Sequence, residues 1–194
     1  MQEIRADQRV KRTHSLLLKT LTEMLRERTF DEIRVTDICQ RAGIHRSTFY
    51  DHFEDKYHLL TFGIQEIIDI LVDGMPCSTR PLPFRHAIFR IFEYFQNNWS
   101  EYSPIILEHR NAEARAIFQE EFTRALIEQI KDHPAYPYSY DRVVVLCQMF
   151  VGGLLSVVSW WLAQGENVSL EEVTDHYTDL YIPHAPLTSD LDAS

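Results

Sequence analysis

Glycine is scarce in this chain, with six in 194 residues, and none forms the Gly-rich loop that cradles a phosphate. No GxSxG nucleophile elbow and no HExxH helix is present either, so the chain does not read as an enzyme. Cysteine is scarcer still. Cys39, Cys77 and Cys147 are odd in number, widely spaced and form no CxxC, which argues against a disulfide framework or a zinc ribbon and suits a reducing compartment. The Met1 end, MQEIRADQRVKR, has no apolar signal segment, so the cytoplasm is the expected location. Neither an internal repeat nor a low-complexity tract stands out. No segment alternates apolar and polar residues as a half-buried strand does. With 45% apolar residues the chain is an ordinary globular protein, and the expectation is all-α.

Basic residues are in the minority, 19 Lys and Arg against 29 Asp and Glu, for a net charge of −10. Spread evenly, that balance would argue against nucleic acid. Residues 1–60, however, hold 11 Lys and Arg against 10 Asp and Glu, whereas 61–194 hold 8 against 19. Salt screens charge over about 8 Å at physiological ionic strength, so the local face outweighs the total. A near-neutral, Arg-rich head on an acidic body permits phosphate binding.

Helical periodicity organises the rest. Leu17, Leu21, Met24 and Leu25 share one face of a helix over about 9–28. Thr36 and Asp37 are positioned to open a second helix, the Thr hydroxyl as cap and the Asp at the positive end, which runs to Ala42. Gly43 supplies a turn. A third helix covers 46–53 and a fourth begins near Asp55. The stretch PCSTRPLP, 76–83, reads as a linker. Further helices follow at about 84–98, 100–109, 111–131, 140–164 and 169–181, about nine in all, interrupted by the loop DHPAYPYSY and ended by the tail IPHAPLTSDLDAS.

Three short helices with a Gly turn between the second and third describe a helix-turn-helix over about 33–52. Ile38, Ala42, Ile44, Phe49 and Phe53 form its core. Burying them leaves Arg46, Ser47, Thr48, Tyr50 and His52 on the other sides of the third helix, near the end that enters a major groove. His45, His52 and His58 could be read as metal ligands, but their spacings put them on different faces and no cysteine or carboxylate completes a set. Neither a metal nor a cofactor is expected.

The stretch VTDICQRAGIHRSTFYDHFEDKYHLL resembles the DNA-binding signature of the TetR family of bacterial transcriptional regulators. The likeness is close over about residues 9–60, and beyond that it lies in architecture alone. It implies a DNA-binding domain at 1–60 and an all-α body at 61–194 that binds an effector and dimerises. By the same resemblance, Thr36 caps the second helix and touches a phosphate. Arg46, Ser47 and Thr48 read bases, and Tyr50, His52 and Lys56 meet the DNA backbone. Two positions depart from the pattern. His45 replaces the more usual Ser ahead of the recognition helix, a weaker cap that can itself reach DNA. Asp51 stands where a basic, aromatic or amide residue is commoner, and its carboxylate repels phosphate unless it pairs with Arg46, His52 or a cytosine amine.

Residues 143–162, VVVLCQMFVGGLLSVVSWWL, carry no charge. Length and polarity alone nominate a transmembrane helix. A lone span would leave the other amphipathic helices without a partner, and no Lys/Arg cluster flanks it, so a central body helix covered by a second subunit is the better reading. Gly152, Gly153 and Ser156 allow a facing helix to approach closely. The resemblance implies homodimerisation through 140–164 and 169–181, and an effector cavity among the middle helices. Its candidate lining is Phe92, Phe95, Trp99, His109, Phe118, Phe122, Met149 and Trp160, although aromatic stripes at helical spacing are also ordinary core. The expected function is a ligand-responsive dimeric regulator of a palindromic operator, in the resembling family most often a repressor. The alternative is a DNA-binding regulator whose body senses a partner protein and activates transcription.

Overall fold

The computed structural model describes residues 2–72, 84–106, 111–131, 138–164 and 167–181. The 76–83 linker, most of the DHPAYPYSY loop and the tail lie outside them. The described residues form nine helices: α1 Gln2–Leu25, α2 Val35–Ala42, α3 Arg46–Tyr50, α4 Lys56–Val72, α5 Phe84–Asn97, α6 Trp99–Ile106, α7 Ala112–Ile130, α8 Tyr140–Ala163 and α9 Leu170–Tyr181. The all-α expectation holds. Two compact units divide the chain, one of residues 1–66 with 100–118, the other of 67–99 with 119–194.

The first unit is built on the apolar face of α1. Leu17, Leu21, Met24 and Leu25 are all buried, joined by Phe30 and Ile33 of the connector, Ile38 of α2, Phe49 of α3, and Leu59, Leu60 and Ile64 of α4. Each fully buried Leu, Ile or Phe contributes about 1.5–3 kcal/mol. Thr20, also buried, bonds its own helix at Leu16 O, 2.8 Å. Gly63 lets α4 lie directly against Leu18 of α1, since a Cβ there would meet the Leu18 side chain. Pro104 inside α6 has no N–H to give Ser100 O, and the Arg26 guanidinium donates to that carbonyl instead. Asp55 opens α4, its carboxylate accepting the His58 N–H at 2.8 Å.

In the second unit α5 buries Ala87, Ile88, Ile91, Phe92 and Phe95. One side of α8 buries Val143, Cys147, Phe150, Val151, Leu154, Leu155, Val158 and Trp161. By length and composition α8 could cross a membrane, yet this side packs within its own unit. Tyr177 of α9 donates its hydroxyl to Phe150 O at 3.1 Å, and Trp161 donates Nε1–H to Val168 O at 2.7 Å. Ser169 caps α9 as the spacing predicts. Its hydroxyl accepts the Glu172 N–H while the Glu172 carboxylate accepts the Ser169 N–H.

Candidate nucleic-acid interface

The turn between α2 and α3 closes on backbone atoms. Gly43 adopts φ 67°, ψ 31°, a left-handed conformation that costs a side-chain-bearing residue about 1 kcal/mol or more. Its N–H donates to Gln40 O, and the Ile44 N–H reaches back to Cys39 O at 3.0 Å. Both bonds together satisfy carbonyls that the end of α2 would otherwise leave open. The chain then enters α3 from an extended His45, with no side chain capping that helix.

Beyond Tyr50 the helical path persists for another turn, since Asp51 N–H donates to Ser47 O and Phe53 N–H to Phe49 O, both at 2.9 Å. Phe49 and Phe53 are 0% and 2% exposed and seat α3 on the core. His45, Arg46, Ser47, Tyr50 and Asp51 are exposed, Thr48 and His52 half-buried. The Arg46 guanidinium lies 5.9 Å from the Tyr50 ring centroid, a cation–π contact between neighbours four apart on a helix. The structure thus gathers Arg46, Ser47 and Tyr50 on one outward surface.

One expectation needs correction, and a second residue has partners within the protein. Thr36 does not cap α2. The N-cap is Arg34, at φ −106°, ψ 152°, whose N–H is accepted by the Asp37 carboxylate at 3.3 Å; Arg28 holds that carboxylate at 3.2 Å. Thr36 therefore falls inside the first turn, exposed. Lys56 is turned inward, its Nζ donating to Phe30 O at 2.7 Å and Asp31 O at 3.3 Å, with the Phe30 ring 4.5 Å away.

His14 of α1 escaped notice in the sequence, although it lies three residues before Leu17 on the same stripe. Its ring packs against those of His52, Phe53 and Phe62, centroids 5.0, 4.9 and 4.8 Å away, and Nε2 is buried with no hydrogen-bond partner among the described residues. Burial, with a smaller contribution from His52, holds the His14 imidazole below its ordinary 6.5. A neutral ring backs His52 from behind. Asn111 is equally silent in the sequence and fully buried. Burial raises the Cys39 thiol, so it stays protonated and serves as core.

Of the residues expected to line an effector cavity, Phe92, Phe95, Phe118 and Phe122 are buried and Trp99 half-buried. Phe118 falls in the first unit and the others in the second. Phe92 packs edge-on against Trp161 at 5.5 Å and Tyr177 at 5.8 Å. Met149 and Trp160 stand on the outer side of α8, 65% and 51% exposed, so neither lines the interior of the chain; Trp161 is the buried one of the pair. His109 lies outside the described residues. A half-open cleft of about 160 Å³ does occur in the second unit, between Ile70 and Leu71 of α4 and Arg90, Ile91, Tyr94 and Asn97 of α5. None of the residues singled out from the sequence borders it. Among the described residues no three His, Cys, Asp or Glu gather as a metal site.

Residues 17–61, which carry this turn and α3, match the model of the bacterial regulatory proteins of the tetR family. That stretch carries the DNA-binding signature of the family. The match covers the helix-turn-helix region alone; the body, α5–α9, lies outside it. The chain is 34% identical over 83 residues to the uncharacterized HTH-type transcriptional regulator YxbF of Bacillus subtilis, covering 42% of this chain but only 22% of that relative. Over 172 residues it is 20% identical to the dhaKLM operon transcriptional activator DhaS of Lactococcus lactis, 88% of this chain and 89% of that one. Its fold matches a TetR regulator of Streptococcus agalactiae at a TM-score of 0.63, with 20% identity over 92% of this chain and 98% of that one. It also matches FadR of Bacillus subtilis, solved in complex with stearoyl-CoA, at 0.56 with 14% identity over 86% and 96%.

Proposed function

We propose that this regulator acts in the cytoplasm as a homodimer on a palindromic operator, with α3 of each subunit in a major groove, and that a small molecule bound by its body controls the contact. Repression relieved by the effector is the simplest form. The observation that carries the reading is the outward set Arg46, Ser47 and Tyr50, held by buried Phe49 and Phe53 within the family-matched stretch. A guanidinium reads guanine or holds a phosphate, and hydroxyls meet either. His45, Thr48 and His52 flank that set. Thr36, exposed in the first turn of α2, is suited to a phosphate at its edge.

Support for the dimer comes from α8. Val145, Met149 and Trp160 are exposed along one stripe with Gly152 and Ser156 between them, an apolar seam with small residues where another helix can come close. Two-fold symmetry then presents two recognition helices about one turn of duplex apart. Effector binding shifts the population between docking and non-docking arrangements, and losing one half-site removes most of the affinity. The cleft beside Arg90 is one place for such a ligand, and the stearoyl-CoA complex of FadR is a precedent for an acyl-CoA bound on this fold.

A second reading is favoured by one relative. DhaS aligns over nearly the whole chain and is an activator, so a body that meets a partner protein and activates transcription is the competing form.

The test is an electrophoretic shift with the duplex beside the protein's own gene. We expect a two-half-site footprint, weakened at least tenfold by Arg46→Ala and by Trp160→Glu, the latter together with conversion of the dimer to monomer in analytical ultracentrifugation. An unchanged footprint and affinity for Arg46→Ala would overturn the assignment of α3. A Trp160→Glu protein that remains dimeric would overturn that of α8.

A further inference from the structure

Asp51 occupies a position on α3 that the helix geometry makes specific. Successive residues turn by about 100°, and the backbone bonds of Asp51 and Phe53 keep that winding through residue 53. Phe49 and Phe53, which mark the buried side, each lie two residues from Asp51. Asp51 is therefore nearly opposite the core, at the middle of the outward surface, four residues from Ser47 and next to Tyr50.

A carboxylate there has few companions within the protein. Arg46 lies over the Tyr50 ring and His52 packs against His14; neither pairs with Asp51. Among the described residues no ion pair or side-chain hydrogen bond engages the Asp51 carboxylate. It is an acceptor with no donor, facing what α3 meets. Resting on the reading of α3 as the groove-inserted element, we infer that Asp51 determines specificity by accepting a hydrogen bond from the N4 amine of a cytosine.

The chemistry of the groove selects that base. Guanine shows two acceptors in the major groove and thymine an acceptor beside a methyl group, and both oppose a carboxylate. Adenine has an amine, but with the N7 acceptor next to it. Cytosine alone presents a donor without an adjoining acceptor. Phosphates line the flanks of the groove, away from the centre of the docked surface, so the central carboxylate is spared the strongest repulsion.

The experiment is selection of binding sites from a random duplex library at one fixed near-physiological salt, with the full-length wild type, Asp51→Asn and Asp51→Ala. The backbone at Asp51, φ −68° and ψ −19°, is ordinary helix, so both variants keep the fold, which circular dichroism checks. The expected result is a cytosine in each half-site preferred about tenfold, a change to adenine with Asn, whose amide matches N6 and N7, and loss of preference at that position with Ala. Identical consensus sequences for all three proteins, with the variants binding every sequence uniformly tighter, would overturn the inference and leave Asp51 a repulsive charge. A wild type that enriches no sequence would sink the reading of α3 itself, a different outcome.

Discussion

Asn111 holds Phe30 by its backbone, 81 residues away in the chain: the Phe30 N–H donates to Asn111 Oδ1 at 3.2 Å. The same amide donates from Nδ2 to Leu25 O at 3.1 Å and Pro104 O at 2.8 Å. A side chain with no exposed surface thus ties the end of α1, the connector ahead of α2 and the end of α6 into one unit. Replacement by Ala takes a hydrogen-bond partner from three buried backbone groups, each worth about 1–3 kcal/mol. We expect Asn111→Ala to lose on the order of 3 kcal/mol in urea denaturation. Asn111→Asp, which keeps the acceptor and loses both donors, should be no better at neutral pH; full stability in the Asp protein would refute the role of Nδ2.

Lys56 separates a phosphate contact from a scaffold contact. Its ammonium is held by Phe30 O and Asp31 O beside the Phe30 ring. Lys56→Met keeps the stem and removes the charge. We expect it to cost about 1–2 kcal/mol of stability while leaving the slope of log affinity against log salt unchanged. A slope reduced by about one, with stability intact, would show a phosphate contact instead.

His14 gives the unit a pH dependence whose sign is fixed. Burial, then His52, lowers its folded value below 6.5. As pH falls through the ordinary histidine range the unfolded chain takes up a proton that the folded ring resists, so stability present above about pH 6.5 drains away on acidification. His14→Phe keeps an aromatic ring against Phe53 and Phe62 without titrating. Its melting temperature should fall less than that of the wild type between pH 7.5 and 5, measured by scanning calorimetry; parallel curves would assign the acid sensitivity to other groups.

Much of this was legible in the sequence, for reasons that are local. The stripe Leu17, Leu21, Met24 and Leu25 phases α1, the Gly43 turn sets the end of α2, and the Phe49–Phe53 pair phases α3. Ser169 and Glu172 spell out a cap four letters long. What escaped was written in longer-range terms or in disguise. The first turn of α2 uses the same reciprocal carboxylate as α9, but Arg34 stands where Ser or Thr would announce it, so Thr36 took the role by default. In the charge-free run of α8 no polar face sets the phase, and two adjacent tryptophans look alike although Trp161 is buried and Trp160 is not. Asn111 has two of its three partners far off in the chain, at Leu25 and Phe30, and no periodicity betrays an amide with that purpose.

The Gly43 junction has one more implication. Its two bonds run from main chain to main chain, and α3 is anchored from beneath by Phe49 and Phe53. Letters 45, 46, 47, 50 and 51 are free of that duty. They can be exchanged as a set, giving the same scaffold a new address, and a descendant of this gene needs no refolding of its head to acquire one.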